Sequence, residues 1–501
     1  MCWPQRLITL CILWLVLSLS QEAEPKEAKR LAKIAVIGGG IGGTAAAYFL
    51  KHHFGDDLVL HLYESHAVGG RLAVRSIAGN TYEIGGAVIH PENKYMKEFT
   101  SKYGLSEKEK CLSRMGIFDG DEYVFQASNF GFADTVKLFW RYGWDVHSFH
   151  KSTKDLLKKF NRIYDLQGQG QAFSNVSALL KAVDQDLLDM THLSVRDWFK
   201  KNGYKDNIID ELVTAVTKCN YGQNADIHAL VGAIAVAGGD PNLWSVKGGN
   251  MRVAEELLKH SHATLLKRKV KEIMLNEDGN FMVTSVEAET SDKQGERRSR
   301  NSSVDNKEDK SRSKVYDLVV VATPLTKDTS GIQFVNFTKK LTFPGRYEEI
   351  FCTMVQGKLC LESVKLTEKY PLDEILVTKA PRVYNSISRQ TPTDAVCSKE
   401  YPDVWKIFSG TSLTEEHLNV LFNEWETVHE VRWFAYPHYD SDQQLGDFEL
   451  HPGLYHLNAI EWAGSAMEMS CIGAKNVALL ALKHWLQDPT AGKMGILREE
   501  L

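Results

Sequence analysis

The stretch Lys33-Ile34-Ala35-Val36-Ile37-Gly38-Gly39-Gly40-Ile41-Gly42-Gly43 decides the fold. A short β-rich run enters a glycine turn of the form G-x-G-x-x-G, and the helix-friendly residues Thr44 to Leu50 follow it. Gly38 permits the tight turn, Gly40 lets the backbone approach a pyrophosphate, and Gly43 lets the helix pack on the strand. The helix N-terminus offers free N–H groups and partial positive charge to phosphates. A second strand, Leu58 to Tyr63, leads to Glu64, where an acid accepts hydrogen bonds from ribose hydroxyls. This β-α-β alternation predicts an α/β fold with a Rossmann-type parallel sheet that binds a dinucleotide.

Outward from the turn lie Gly69-Gly70-Arg71 and Gly85-Gly86. Glycine pairs mark close backbone approach, and Arg71 offers a forked cation to a phosphate or a flavin. An NAD domain needs neither. With these residues the sequence resembles the flavin-containing amine oxidase superfamily, whose N-terminal signature is this turn, this acid and a GGR motif. The resemblance implies FAD, bound non-covalently by Gly38, Gly40, Gly43, Glu64, Gly70 and Arg71. It also implies that the Val270 strand reaches the adenine by its backbone, that Glu461 binds the ribityl chain, and that backbone around Met467 faces the flavin pyrimidine. The fold expected is a Rossmann-type FAD-binding domain of amine oxidase/glutathione reductase type, interleaved with an α+β substrate domain. The first would be discontinuous over residues 33–92, 241–324 and 450–487, the second over 93–240 and 325–449.

A narrower resemblance runs through the chain. Gly85-Gly86-Ala87-Val88-Ile89-His90-Pro91, Trp140-Arg141-Tyr142-Gly143, Asn220-Tyr221-Gly222-Gln223, Ala435-Tyr436-Pro437-His438-Tyr439 and Ser465-Ala466-Met467-Glu468-Met469-Ser470 are similar to the prenylcysteine oxidase family. Membership implies an FAD-dependent thioether oxidase that uses O2 and water to split farnesyl- or geranylgeranyl-cysteine. The products would be cysteine, an isoprenoid aldehyde and H2O2, in the degradation of prenylated proteins. Rival readings are another FAD amine or polyene oxidase on the same fold, and a catalytically weak, FAD- and lipid-binding secreted glycoprotein.

Such chemistry needs alignment and water exclusion more than a strong protein nucleophile. A water-activating base would help. His90, close after a glycine pair, and His438, among aromatics, are the candidates, each against the alternative of a buried, hydrogen-bonded histidine. Leu138 to Trp144 and Trp433 to Tyr436 are candidate walls for an isoprenoid groove or ordinary amphipathic core. No metal-ligand spacing is present.

The 501 residues suggest two or three intertwined domains, and a net charge of −5 gives no sign of nucleic-acid binding. The apolar run Leu7 to Leu17, followed by Ser18-Leu19-Ser20, predicts a cleaved signal peptide over residues 1–20. No later segment is apolar enough to span a membrane. Secretory entry makes Asn175, Asn301 and Asn336, all in N-x-S/T triplets, expected glycan sites. It permits one or two disulfides among scattered cysteines whose pairing the sequence leaves open. The family adds a lysosomal location, with secretion as an alternative, and lipid or lipoprotein association as a further expected partnership. Residues 287–313 are almost devoid of apolar side chains and read as a long mobile hairpin tip.

Overall fold

The computed structural model describes residues 30–128, 131–288, 311–368, 371–379 and 383–487. The expected signal peptide, Asn301 and most of the polar tract lie outside these residues.

Two sheets organise the chain. The first comprises β1 (Ala32–Ile37), β2 (Leu58–Glu64), β7 (Thr264–Leu275), β8 (Phe281–Glu287), β9 (Arg312–Tyr316), β10 (Leu318–Val321), β11 (Gln333–Val335), β17 (Glu449–His451) and β18 (Leu454–His456). Its order is β17-β18-β10-β1-β2-β7-β8-β9, with β11 pairing with β7. The central strands β18, β10, β1, β2 and β7 run parallel. A small hairpin, β3 (Val74–Ile77) and β4 (Asn80–Glu83), stands apart. The second sheet takes β5 (Met115–Phe118), β6 (Tyr123–Gln126), β12 (Tyr347–Leu359), β13 (Glu374–Val377), β14 (Ser386–Arg389), β15 (Val404–Ser409) and β16 (Phe422–Pro437). It is mostly antiparallel, in the order β16-β12-β15-β14-β13-β5-β6.

Period-two alternation explains how the first sheet is covered on both faces. Ile34 and Val36 of β1 enter one core, with Val320 of β10. Ala35 and Ile37 enter another, with Val319, Val321, Phe281 and Val283. The first core is closed by helices α1 (Ile41–Phe54) and α4 (Met467–Gln487). Ala45, Ala46 and Ala47 of α1 and Gly473, Ala474 and Ala478 of α4 are buried, and their small side chains let backbone lie close to backbone. The second core lies under the β7–β8–β9 meander. The polar tract joins β8 to β9, which pair through Ser285 opposite Arg312.

Between the sheets in sequence, residues 131–237 are helical, beginning with α2 (Gly131–Tyr142) and α3 (Asp145–Phe160). The mostly helical reading of 93–240 holds except for the hairpin β5–β6. One strand departs from the expected boundary at residue 324: β11 lies beyond it yet belongs to the first sheet, because Gln333 to Val335 pair with Glu272 to Met274.

Candidate flavin site

The glycine turn sits where β1 hands the chain to α1. Gly38 has φ +113°, and a Cβ on Gly43 would lie 1.9 Å from the Gly38 carbonyl oxygen. Strand and helix therefore touch through hydrogen, as close packing at this turn requires. The N-cap is Gly40, no side chain caps α1, and its first turn carries no acid. Its leading N–H groups are left for an anion.

Glu64 ends β2 beside this turn. Its Oε2 accepts the Gly39 N–H at 2.7 Å and its Oε1 accepts the His66 N–H at 2.7 Å. Each carboxylate oxygen retains a lone pair for a ribose hydroxyl. Next to Glu64 in the sheet is Lys267, and β7 runs on past the end of β2 to Val270. Val270 turns its side chain into the core, and the register with β8 slips between Val270 and Glu272.

Gly69 and Gly70 lie against Gly40, with Gly69 N–H donating to Gly39 O at 2.9 Å. Arg71 follows. It forms an ion pair with Glu461, 390 positions away, and also donates to the Ala435 carbonyl oxygen. Glu461 is fully buried and further accepts from Tyr347 Oη at 2.9 Å and Asn458 Nδ2 at 2.6 Å. Burial opposes the Arg71 charge, but the Glu461 carboxylate overrides it and holds the guanidinium well above its usual range. Both partners named from sequence thus meet, each engaged by protein groups. A third of the Arg71 side chain is still exposed.

Gly86 approaches the start of α4: a Cβ there would lie 3.9 Å from the Met467 methyl group. Tyr439 Oη accepts the Ser465 N–H at 2.9 Å and donates to the Glu461 carbonyl at 3.1 Å, while Tyr221 Oη donates to the Ser465 carbonyl at 3.0 Å. Tyr221 packs edge-on against both Tyr436 and Tyr439. Tyr347, Tyr221 and Tyr439 were not singled out from sequence as site residues. The signal for two of them was present, because Tyr221 and Tyr439 fall inside segments already quoted; Tyr347 gave none.

The two histidines differ. His90 follows Gly86 by four residues, and its Nδ1 accepts the Glu92 N–H at 3.1 Å. Its Nε2 is buried without a hydrogen-bond partner, 3.7 Å from an Asp240 oxygen. Burial lowers its pKa, against the pull of Asp240 and Glu92. With Nδ1 accepting, the neutral ring carries its proton on Nε2, the nitrogen nearer Asp240. His438 has no such enclosure. Its side chain is 42% exposed and its Nδ1 bonds Glu348, so it reads as a surface hydrogen-bond partner. Leu138 and Tyr142 turn inward to the core around Tyr221 and Tyr439, whereas Phe139, Trp140 and Trp144 point to solvent. The proposed isoprenoid wall therefore does not run continuously from 138 to 144.

Of the expected glycan sites, Asn336 is exposed in a left-handed turn, with φ 65°. Asn175 is half-buried, and its side-chain oxygen caps a helix by accepting the Ala178 N–H.

Comparison with known proteins places these features. A model of an NAD(P)-binding Rossmann-like domain matches residues 36–103. The solved structure of cyclohexylamine oxidase from Brevibacterium oxydans superposes with a TM-score of 0.56 at 16% identity, covering 90% of this chain and 99% of that one. The uncapped helix, the free lone pairs of Glu64 and the glycine-lined approach to α4 suit a pyrophosphate, a ribose and a flat ring in that order, and the protein is an FAD-dependent oxidoreductase. The prenylcysteine lyase family model matches residues 125–492, and the chain belongs to that family. It is 37% identical over 489 residues to prenylcysteine oxidase 1 of Bos taurus, covering 96% of this chain and 92% of that protein. It is 38% identical to prenylcysteine oxidase 1 of Homo sapiens, covering 90% and 89%.

Proposed function

We propose that the protein oxidises the thioether of an S-prenylated cysteine, farnesyl or geranylgeranyl, consuming O2 and water and releasing cysteine, an isoprenoid aldehyde and H2O2. The observation that carries this reading is the chain-long relationship to prenylcysteine oxidase 1. The carbon between sulfur and the allylic double bond is the weak point of the substrate, since both neighbours stabilise positive charge there. FAD, held by the glycine turn Gly38 to Gly43 and Glu64, would supply the hydride acceptor and the route of the electrons to oxygen. The chain's own tasks are to align that carbon, keep stray water away and activate one water. His90 takes the proton from the water that adds to the oxidised carbon on Nδ1, the ring nitrogen that carries the lone pair, and the resulting hemithioacetal collapses to thiol and aldehyde. The buried tyrosines around Ser465 close the space beside α4.

Secretory entry and residence in the lysosome complete the proposal. It is supported by the apolar run Leu7 to Leu17, by the exposed sequon asparagine Asn336, and by a disulfide between Cys111 and Cys397, a bond that persists in oxidising compartments.

The test is to mix purified protein with farnesylcysteine and follow peroxide and free thiol. Wild type should produce both. His90→Gln should keep its flavin absorbance but lose about a hundredfold in kcat, the usual contribution of a positioned base. A flavin-loaded wild type that makes neither product would overturn the oxidase reading. Full kcat in His90→Gln would leave that reading standing and remove the base.

A further inference from the structure

A surface helix normally turns its apolar stripe to the core. Helix α2 turns one outward as well. Phe132, Val136, Phe139 and Trp140, at positions i, i+4, i+7 and i+8, are 83, 48, 46 and 90% exposed. Its inward side is already satisfied by Leu138 and Tyr142. Trp144, 74% exposed, packs edge-on against Phe139 at 5.4 Å and carries the stripe to the start of α3.

From Trp144 the same helical spacing continues as polar and basic side chains. His147, Lys151, Lys154 and Lys158 follow at steps of three and four residues, and all are exposed. Residues 131–162 hold seven Lys or Arg against three Asp, in a chain whose net charge is −5. An apolar, tryptophan-rich ridge thus merges into a basic one.

We infer that this α2–α3 face docks on an anionic phospholipid surface, with the aromatic ridge inserted at the headgroup level and the lysines against the lipid phosphates. Exposed Trp and Phe beside a row of Lys is the pattern of a helix lying in a membrane interface. A second copy of the chain fits less well. Protein interfaces are depleted in Lys, whereas this face carries a row of them.

Flotation of the full-length, flavin-loaded protein with vesicles tests this. The vesicles are phosphatidylcholine alone or phosphatidylcholine with about a third phosphatidylglycerol. Wild type should float with the anionic vesicles and be released by salt. W140S/W144S should bind about tenfold less at unchanged flavin absorbance, and K151E/K154E/K158E should lose the preference for anionic lipid. Failure of wild type to float, or equal flotation of W140S/W144S, overturns the inference. So does a wild-type dimer that W140S/W144S converts to monomer, which would make the face an interface between copies.

Discussion

Glu64 serves two masters in the geometry described: it fixes the glycine turn through the Gly39 N–H and stands where a ribose would lie. Removing a charged acceptor from a ribose hydroxyl costs roughly 1.5–3 kcal/mol, which is about 10- to 100-fold in affinity. Glu64→Ala should therefore lose FAD during gel filtration, seen as a drop in the ratio of flavin to protein absorbance, while its circular dichroism stays that of wild type. Retention of full flavin occupancy would mean that the ribose lies elsewhere. Residues of this kind were legible in the sequence because their partners are near: Gly43 meets Gly38, and Glu64 meets Gly39. Glu468 was not. It accepts the N–H groups of Tyr95 and Met96 and the hydroxyl of Tyr164, all more than 300 positions away, and burial lifts its pKa to about 7. No local pattern announces such a contact.

Elements were legible where periodicity is strong and boundaries are marked by glycine. β1, α1, β2 and the buried run of β10 follow from the sequence directly. What the pattern hid was the use of buried polar caps. His228 precedes the helix Ala229–Ala237; its Nδ1 accepts the Val231 N–H and its Nε2 donates to the Trp462 carbonyl at 3.0 Å. This arrangement demands the neutral ring, and burial lowers the pKa to about 4. The unfolded state therefore binds a proton between pH 6.5 and 4 that the folded state refuses, so stability is lost as pH falls through that window. The loss from this residue approaches about 3 kcal/mol by pH 4. Urea unfolding at pH 7 and pH 5 should show wild type weakening, with His228→Asn weakening less because Asn caps a helix without titrating. Identical pH dependence in the two proteins would remove His228 as a cause.

At the scale of the whole molecule, two distant stretches of the second sheet are tied by a covalent link that composition could only allow for. Cys111 lies just before β5 of the second sheet, and Cys397, 286 positions further on, lies in the loop between β14 and β15. Closing so long a loop restrains the unfolded chain, worth about 2–4 kcal/mol. C111S/C397S should show a urea midpoint lowered accordingly, and reduction of wild type should reproduce it; an unchanged midpoint would mean the link adds nothing to stability. The pairing was unreadable beforehand because cysteine spacing carries no information on contacts across 286 residues. The α/β class of the fold was better signposted, because the β-α-β run from Lys33 to Glu64 and the buried run of β10 announced a parallel sheet.

The partnership of Arg71 with Glu461, and of β10 with β18, sets an order of events during synthesis. When residues 33–92 emerge, they hold a phosphate turn but no opposing wall, and β10 still awaits the neighbour that covers its far side. The wall arrives with the last described helix, after nearly the entire chain has been made. A chain terminated before residue 454 lacks β18 and α4 together, so it carries a complete nucleotide-binding signature and no complete nucleotide-binding site. Such non-local closure is slow by nature. The coenzyme site is therefore completed only when segments more than 300 residues apart come together.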